Sequence, residues 1–331
     1  AEKRRERREQ ATIKYHRIHG AWMSIPNAGG RSGTKPESVT IQDVMLQQVI
    51  RHHKPDPHDP LKRNLPFAPQ SYRDFMLFPA HYTGAAAGIL ALTLQQAPFP
   101  LSLLRFVVAC LAWLWTRLTG TAFPPFRPSG LYRKQPIFYQ SNHKSIVASD
   151  APVVCPDYCT RYLDVELELG FVLGRSLYNA ADPDEALEAI AGFVVLNDFS
   201  ARDVQWAEMR SGFGPQLCKS FASSISSVVV SADEVLPLLP NLTGRVTINE
   251  KVVAECSVGA KDWQFTLGEA LMHASRGTRL YDGEFFGSGT LPRGAGIENM
   301  SFKVEVGDTV TLEIDGVGSV TNTVISEEKK K

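Results

Sequence analysis

The run Leu163-Asp164-Val165-Glu166-Leu167-Glu168-Leu169 alternates apolar and acidic residues. Strict alternation predicts a half-buried strand with its carboxylates on one face. Residues two apart on a strand lie roughly 6.6 Å apart on the same side, so Glu166 and Glu168 can converge on one ion. The apolar run Gly192-Phe193-Val194-Val195-Leu196 predicts a buried strand with Asp198 at its end. Between the two strands, Asp182-Pro183-Asp184-Glu185 predicts a helix start, with Asp182 as N-cap and Pro183 in the first turn. Ser200-Ala201-Arg202-Asp203 has the shape of a capping box, and on the helix it opens Arg202 and Gln205 share a face. Alternation over residues 244–253 predicts a hairpin turning at Asn249-Glu250. Residues 304–314 predict two strands around Gly307-Asp308, and residues 262–274 a helix with Thr266 as candidate cap.

A second pattern interrupts the first. Residues 97–130 are strongly apolar, yet only eleven uncharged residues separate Arg105 from Arg117, short of the roughly 20 that span a bilayer. Three readings stand: a buried helix, favoured; a lid or dimer contact over the site; and an interfacial helix making peripheral membrane contact through residues 98–118. The exit Phe123-Pro124-Pro125-Phe126-Arg127-Pro128 reads as a turn or extended connector.

With 331 residues, 44% hydrophobic and 21% charged, the chain can bury a full core. The expected organisation is an N-terminal extension or small domain over 1–70, followed by a main domain over 71–331. Thirty-five basic residues balance thirty-five acidic ones, which gives no case for nucleic acid as partner. The mixed-sign Lys3–Glu9 run predicts a solvated helix or arm, and Glu327–Lys331 a solvated tail. Neither end has the apolar core of a secretory signal. Five cysteines, an odd number, argue against a disulfide framework. A cytoplasmic location is the expectation.

Three acids on an apolar scaffold repel one another unless a positive group sits between them. A hard divalent cation with oxygen ligands satisfies that need; a solvent-facing strand with acidic outer residues is the plainer alternative. Four runs decide the matter. LDVELELGFVLG, LNDFSARDVQ, GPQLCKSF and GSGT, in this order, resemble the fumarylacetoacetate hydrolase superfamily from about Ser71 to about Thr323, with the 97–130 segment as interruption.

The resemblance implies an α+β, mostly β fold: a mixed β-roll core with peripheral helices and a smaller N-terminal domain, usually a homodimer. It implies Mg²⁺, or Ca²⁺ or Mn²⁺, on Glu166, Glu168 and Asp198. Asp74 matches a fourth ligand, and His81, seven residues on, the general base. Lys219 would contact substrate oxygens and stabilise developing negative charge. Arg202, Gln205 and Thr290 would line the substrate, and Glu298 would orient His81. Asp203 is read as a helix-start charge, and Asp164 as a supporting or exposed residue.

The activity implied is metal-dependent hydrolysis of a carbon–carbon bond in a β-diketone or acylpyruvate-like substrate. A decarboxylase or keto–enol tautomerase on the same metal site is the alternative, and a binding protein that keeps the fold a third. Two departures bear on the substrate. Met76 stands where fumarylacetoacetases carry Tyr, and Leu90 where they carry a substrate-binding Arg. Both remove polar contacts to an acidic substrate, so a more apolar β-dicarbonyl is expected.

Overall fold

Most of the buried apolar side chains lie on strands. The structure, a computed structural model, describes residues 15–18, 21–24, 39–95, 97–159 and 161–327. The expected N-terminal arm at Lys3–Glu9 and the tail beyond Glu327 lie outside them. The main sheet runs in the order Phe138–Gln140, Ser71–Phe75, Glu284–Ala295, Glu166–Leu173, Ile190–Asp198, Ser223–Ile225, Ile146–Ala148. A second sheet runs Lys251–Gly259, Asn241–Ile248, Thr309–Ile314, Gly318–Ser326, Val153–Cys155. This is the mixed β architecture with peripheral helices expected above.

The acidic strand is not half-buried: every residue from Glu166 to Leu173 is buried. Side chains alternate between faces. Leu167, Leu169, Phe171 and Leu173 join Leu242, Val246 and Leu312 in the core shared with the second sheet. Val172 goes the other way, with Val194, Leu196, Tyr72 and Phe285, onto Met45, Leu46 and Val49. Those three belong to the helix Ile41–His52, capped by Thr40 in a capping box with Asp43. The helix of the expected N-terminal segment therefore packs on the back of the main sheet.

Local predictions met mixed fates. Asp182 caps Pro183–Leu187 by accepting from Glu185 N. The hairpin turns at Asn249 and Glu250, both with positive φ. Thr266 caps a helix, but a shorter one, Leu267–Ala274. The capping box at Ser200 does not form. Ser200 and Ala201 pair with Asp164 and Leu163 as a short ladder, and Asp203 accepts from Tyr162 N instead. The Asp308 turn has a strand only after it, Thr309–Ile314; Val304 makes a single bridge to Leu163.

The favoured buried-helix reading of the apolar interruption is overturned. The helix Leu104–Thr119 has no buried residue and packs against the helix Pro79–Gln95. With the preceding turn, Leu101–Thr119 is long and apolar enough to cross a membrane by length and composition.

Candidate active site

Three strands of the main sheet bring their acids to one place, with Glu284–Ala295 running between the first two. Asp74 pairs in register with Gly287, Gly287 with Gly170, and Glu168 with Leu196, two residues short of Asp198. Asp74 follows Tyr72, Glu168 precedes Val172, and Asp198 follows Leu196 on the same side of the pleat. One oxygen each from Asp74, Glu168 and Asp198 lies within 4.8 Å of the others, and all three residues are buried. Glycine at 287 makes the approach possible: a Cβ there would lie 2.3 Å from Asp74 Oδ1 and 2.7 Å from Glu168 Oε2.

Burial and the neighbouring Asp198 carboxylate push the Asp74 carboxyl up to about 7. Burial, with Asp74 and Asp198, holds Glu168 well above the usual carboxylate range. Burial also raises Asp198, against the pull of Lys219. Asp74 Oδ1 is buried without a hydrogen-bond partner. Hard oxygen donors, mutual repulsion and an orphaned carboxylate oxygen together fit a divalent cation.

Glu166 was expected in the same cluster, but its oxygens are taken. Lys219 Nζ donates to Oε2, and Arg202 Nη2 to Oε1 at 2.8 Å. Burial alone would raise its pKa; the charges of Lys219, Arg202 and His81 outweigh that and hold it well below the usual range. Lys219 also donates to Asp198 Oδ2 at 2.7 Å. Burial disfavours its charge, yet Asp198 and Glu166 overcome this and raise its pKa. Lys219 thus joins the carboxylate trio to the Glu166 side.

Arg202 and Gln205, expected to line the substrate, are both buried. Arg202 donates to Asp164 Oδ2 from Nε and Nη2, at 3.0 and 2.8 Å, and from Nη1 to Gln205 Oε1 at 2.9 Å. Asp164 is fully buried, so the exposed reading of it was wrong. It also accepts from Gly296 N and Ile297 N, both at 2.9 Å, and so anchors the turn that carries Glu298. Thr290, likewise expected at the substrate, is buried with its hydroxyl 3.4 Å from Glu168 Oε1.

His81 sits in the first turn of Pro79–Gln95. Its Nδ1 lies 2.9 Å from Glu298 Oε1 and its Nε2 3.6 Å from Glu166 Oε1. The helix approaches the Glu298 turn so closely that a Cβ on Gly88 would fall 1.8 Å from Ile297 O. The pairing that the resemblance implied is therefore present, inside the protein and beside the carboxylates.

Two residues that the sequence did not flag complete the site. Tyr139 donates to Asp198 Oδ2 at 2.6 Å, and Ser223 to Oδ1 at 3.0 Å. Nothing in their local pattern marks them, because both arrive through strand pairing distant in sequence.

Residues 126–325 match the family model described as fumarylacetoacetate hydrolase C-terminal. The chain belongs to this family. Glu166, Glu168, Asp198, Lys219 and Glu298 lie within the match, whereas Asp74 and His81 precede it and are brought to the site by the fold. The chain is 30% identical over 195 residues to a mitochondrial oxaloacetate tautomerase from Xenopus laevis, covering 58% of this chain and 59% of that protein. It is 26% identical over 198 residues to a bifunctional isomerase/decarboxylase of homoprotocatechuate catabolism from Escherichia coli, covering 60% and 43%. Fumarylacetoacetase from Mus musculus is 30% identical over 233 residues, covering 55% of each chain. The chain thus spans about half the length of these family relatives. A fumarylacetoacetate hydrolase from the psychrophile Exiguobacterium antarcticum shares the fold, with a TM-score of 0.57 at 20% identity, covering 88% of this chain and 91% of that one. The family's members include hydrolases, isomerases, decarboxylases and tautomerases.

Proposed function

We propose that this family member hydrolyses a carbon–carbon bond in an apolar β-dicarbonyl compound. The observation that carries this reading is the His81–Glu298 pair set against the buried carboxylates. With Glu298 accepting from Nδ1–H, the other ring nitrogen, Nε2, is free to accept a proton.

Asp74, Glu168 and Asp198 would hold Mg²⁺, or Ca²⁺ or Mn²⁺ in its place, which would supply Lewis-acid polarisation of the substrate carbonyl. His81 Nε2 takes one proton from water while the water oxygen bonds to a carbonyl carbon. The adjacent carbon–carbon bond breaks, and its electron pair passes to the departing carbon as an enolate. The proton on Nε2 then goes to that carbon, so a carboxylic acid and a ketone leave and His81 is restored. Lys219, kept charged by Glu166 and Asp198, faces the negative charge that develops. Arg202 positions Asp164 and Glu166.

Leu90 supports an apolar substrate. It lines a cavity of about 210 Å³ with Ala87, Leu94, Val108 and Met300, and Glu298 and Arg105 are on its wall. Leu90 and its apolar neighbours favour an acyl chain, with Arg105 the cation on the same wall.

The alternative is decarboxylation or keto–enol tautomerisation. Lys219 between Glu166 and Asp198 supports it, since an enolate needs that charge whether or not water attacks, and the Xenopus and Escherichia relatives carry such activities by name. Acylpyruvates, β-diketones and oxaloacetate turned over with Mg²⁺ in ¹⁸O-labelled water separate the readings. Label in a new carboxylate supports hydrolysis; loss of CO₂, or rearrangement without label, moves the chain to the alternative. A homodimer belongs to the same proposal and is checked by light scattering.

A further inference from the structure

The chain's net charge of zero hides a strong asymmetry. Between Asp74 and Asp150 there is no acidic residue, while Arg105, Arg117, Arg127, Arg133, Lys134 and Lys144 supply six cations. None of these six forms an ion pair among the described residues, where the ion pairs lie elsewhere. The same segment contains the helix Leu104–Thr119, with no buried residue.

We propose that this helix docks the protein flat on an anionic lipid surface. At about 100° per residue, Arg105, Ala109 and Ala112 share one side of it, and these line the cavity against the helix Pro79–Gln95. Phe106, Val107, Leu111, Trp113, Leu114 and Leu118 are all exposed and spread over an arc of about 160° on the opposite side. Seated on its neighbour along one flank, the helix lies in the plane of a membrane and does not cross it. The folded domain takes the place of the polar face that an interfacial helix usually shows to water.

Three features favour lipid over a second copy of this chain. The apolar arc is broader than the narrow seam a helical partner covers. Two copies would bring Arg117, which falls within the arc, and the neighbouring Arg127 and Arg133 against their counterparts, which repel. At the helix C-terminus, aromatic and cationic groups are interleaved: the Arg127 guanidinium lies 5.8 Å from the Trp115 ring centroid, and Arg127 and Arg133 line one groove beside Thr121 and Ala122. Trp and Arg at such a border suit the headgroup layer.

The test is co-sedimentation of the full chain with phosphatidylcholine vesicles, with and without phosphatidylserine. A cation near an anionic surface gains about fivefold in affinity, so the expected result is at least about tenfold tighter binding to the phosphatidylserine vesicles, weakened by salt. Trp113→Glu with Leu114→Glu removes the binding while leaving the circular-dichroism spectrum and melting temperature intact. Should that variant fail to fold, Arg117→Gln with Arg133→Gln keeps the apolar arc and lowers the phosphatidylserine preference by about tenfold or more. Equal or negligible binding to both vesicle types overturns the proposal. If the wild-type chain then sediments as a dimer that the glutamate variant dissolves, the face belongs to a second copy.

Discussion

Replacing Asp74 with Asn removes one of three buried, mutually repelling carboxylates while keeping its shape. The Asp74 carboxyl is pushed from an ordinary 3.8 up to about 7 by burial and Asp198. A raised acid favours the fold in its protonated form. That contribution is whole below about pH 4 and is lost as the pH rises through about 7. At pH 8 the ionised carboxylate therefore costs the metal-free fold on the order of 4 kcal/mol, at about 1.4 kcal/mol per pH unit between the two values. At pH 5 the cost is less than half of this, because most of the acid is still protonated in the fold. Asn carries no such charge. Metal-free Asp74→Asn is thus expected to melt on the order of 10 °C above the wild type at pH 8, taking about 2–4 °C per kcal/mol for a chain of this size. The gap narrows towards pH 5. Mg²⁺ should close most of this gap at pH 8. A cation at one hundred times its dissociation constant stabilises its binding form by about 2.7 kcal/mol, and only the wild type keeps the full ligand set. Differential scanning calorimetry at both pH values, with chelator and with Mg²⁺, gives all the quantities. The reasoning is refuted if the chelated variant melts no higher than the wild type at pH 8, or if Mg²⁺ raises both melting temperatures equally.

Three further outcomes follow from the geometry. His81→Ala should lower hydrolysis by about 10²–10⁴ while leaving the Mg²⁺-induced melting shift unchanged; a retained rate in a stopped-flow assay would remove His81 as the base. Gly287→Ala puts a methyl 2.3 Å from Asp74 Oδ1, so calorimetric Mg²⁺ affinity should fall, and misplaced ligands should cost roughly 10² in rate; wild-type values for both would show that the carboxylates move freely. Arg202→Met leaves Asp164 and Glu166 buried without their guanidinium, and urea unfolding should report a loss of about 3–5 kcal/mol, whereas a loss below about 1 kcal/mol would mean that these charges are hydrated or neutral.

The sequence by itself determined the local chemistry. Alternation put Asp164, Glu166 and Glu168 on one face, the apolar run placed Asp198 at a strand end, and the family resemblance marked Asp74 and, seven residues on, His81. Periodicity and motif are local properties, legible because a strand's side chains have a period of two whatever lies around it. Helix starts were legible on the same ground where the cap closes on its own turn, as at Asp182 and Thr266. At Ser200 the cap failed because a distant strand offered the backbone another partner.

Only the tertiary structure decided how the acids divide. Two residues apart on one strand, Glu166 and Glu168 look equivalent, yet Lys219 and Arg202 reach the first, whereas Asp74 and Asp198 meet the second. That division depends on which strands become neighbours, and on a glycine at 287 that lets two carboxylates approach. Tyr139 and Ser223 enter the site for the same reason, by sheet order across dozens of residues. The apolar helix gives the converse case. Its composition showed that it must hide from water, and composition carries no information on what hides it. The fold leaves it on the outside, where burial falls to something other than the chain's own core.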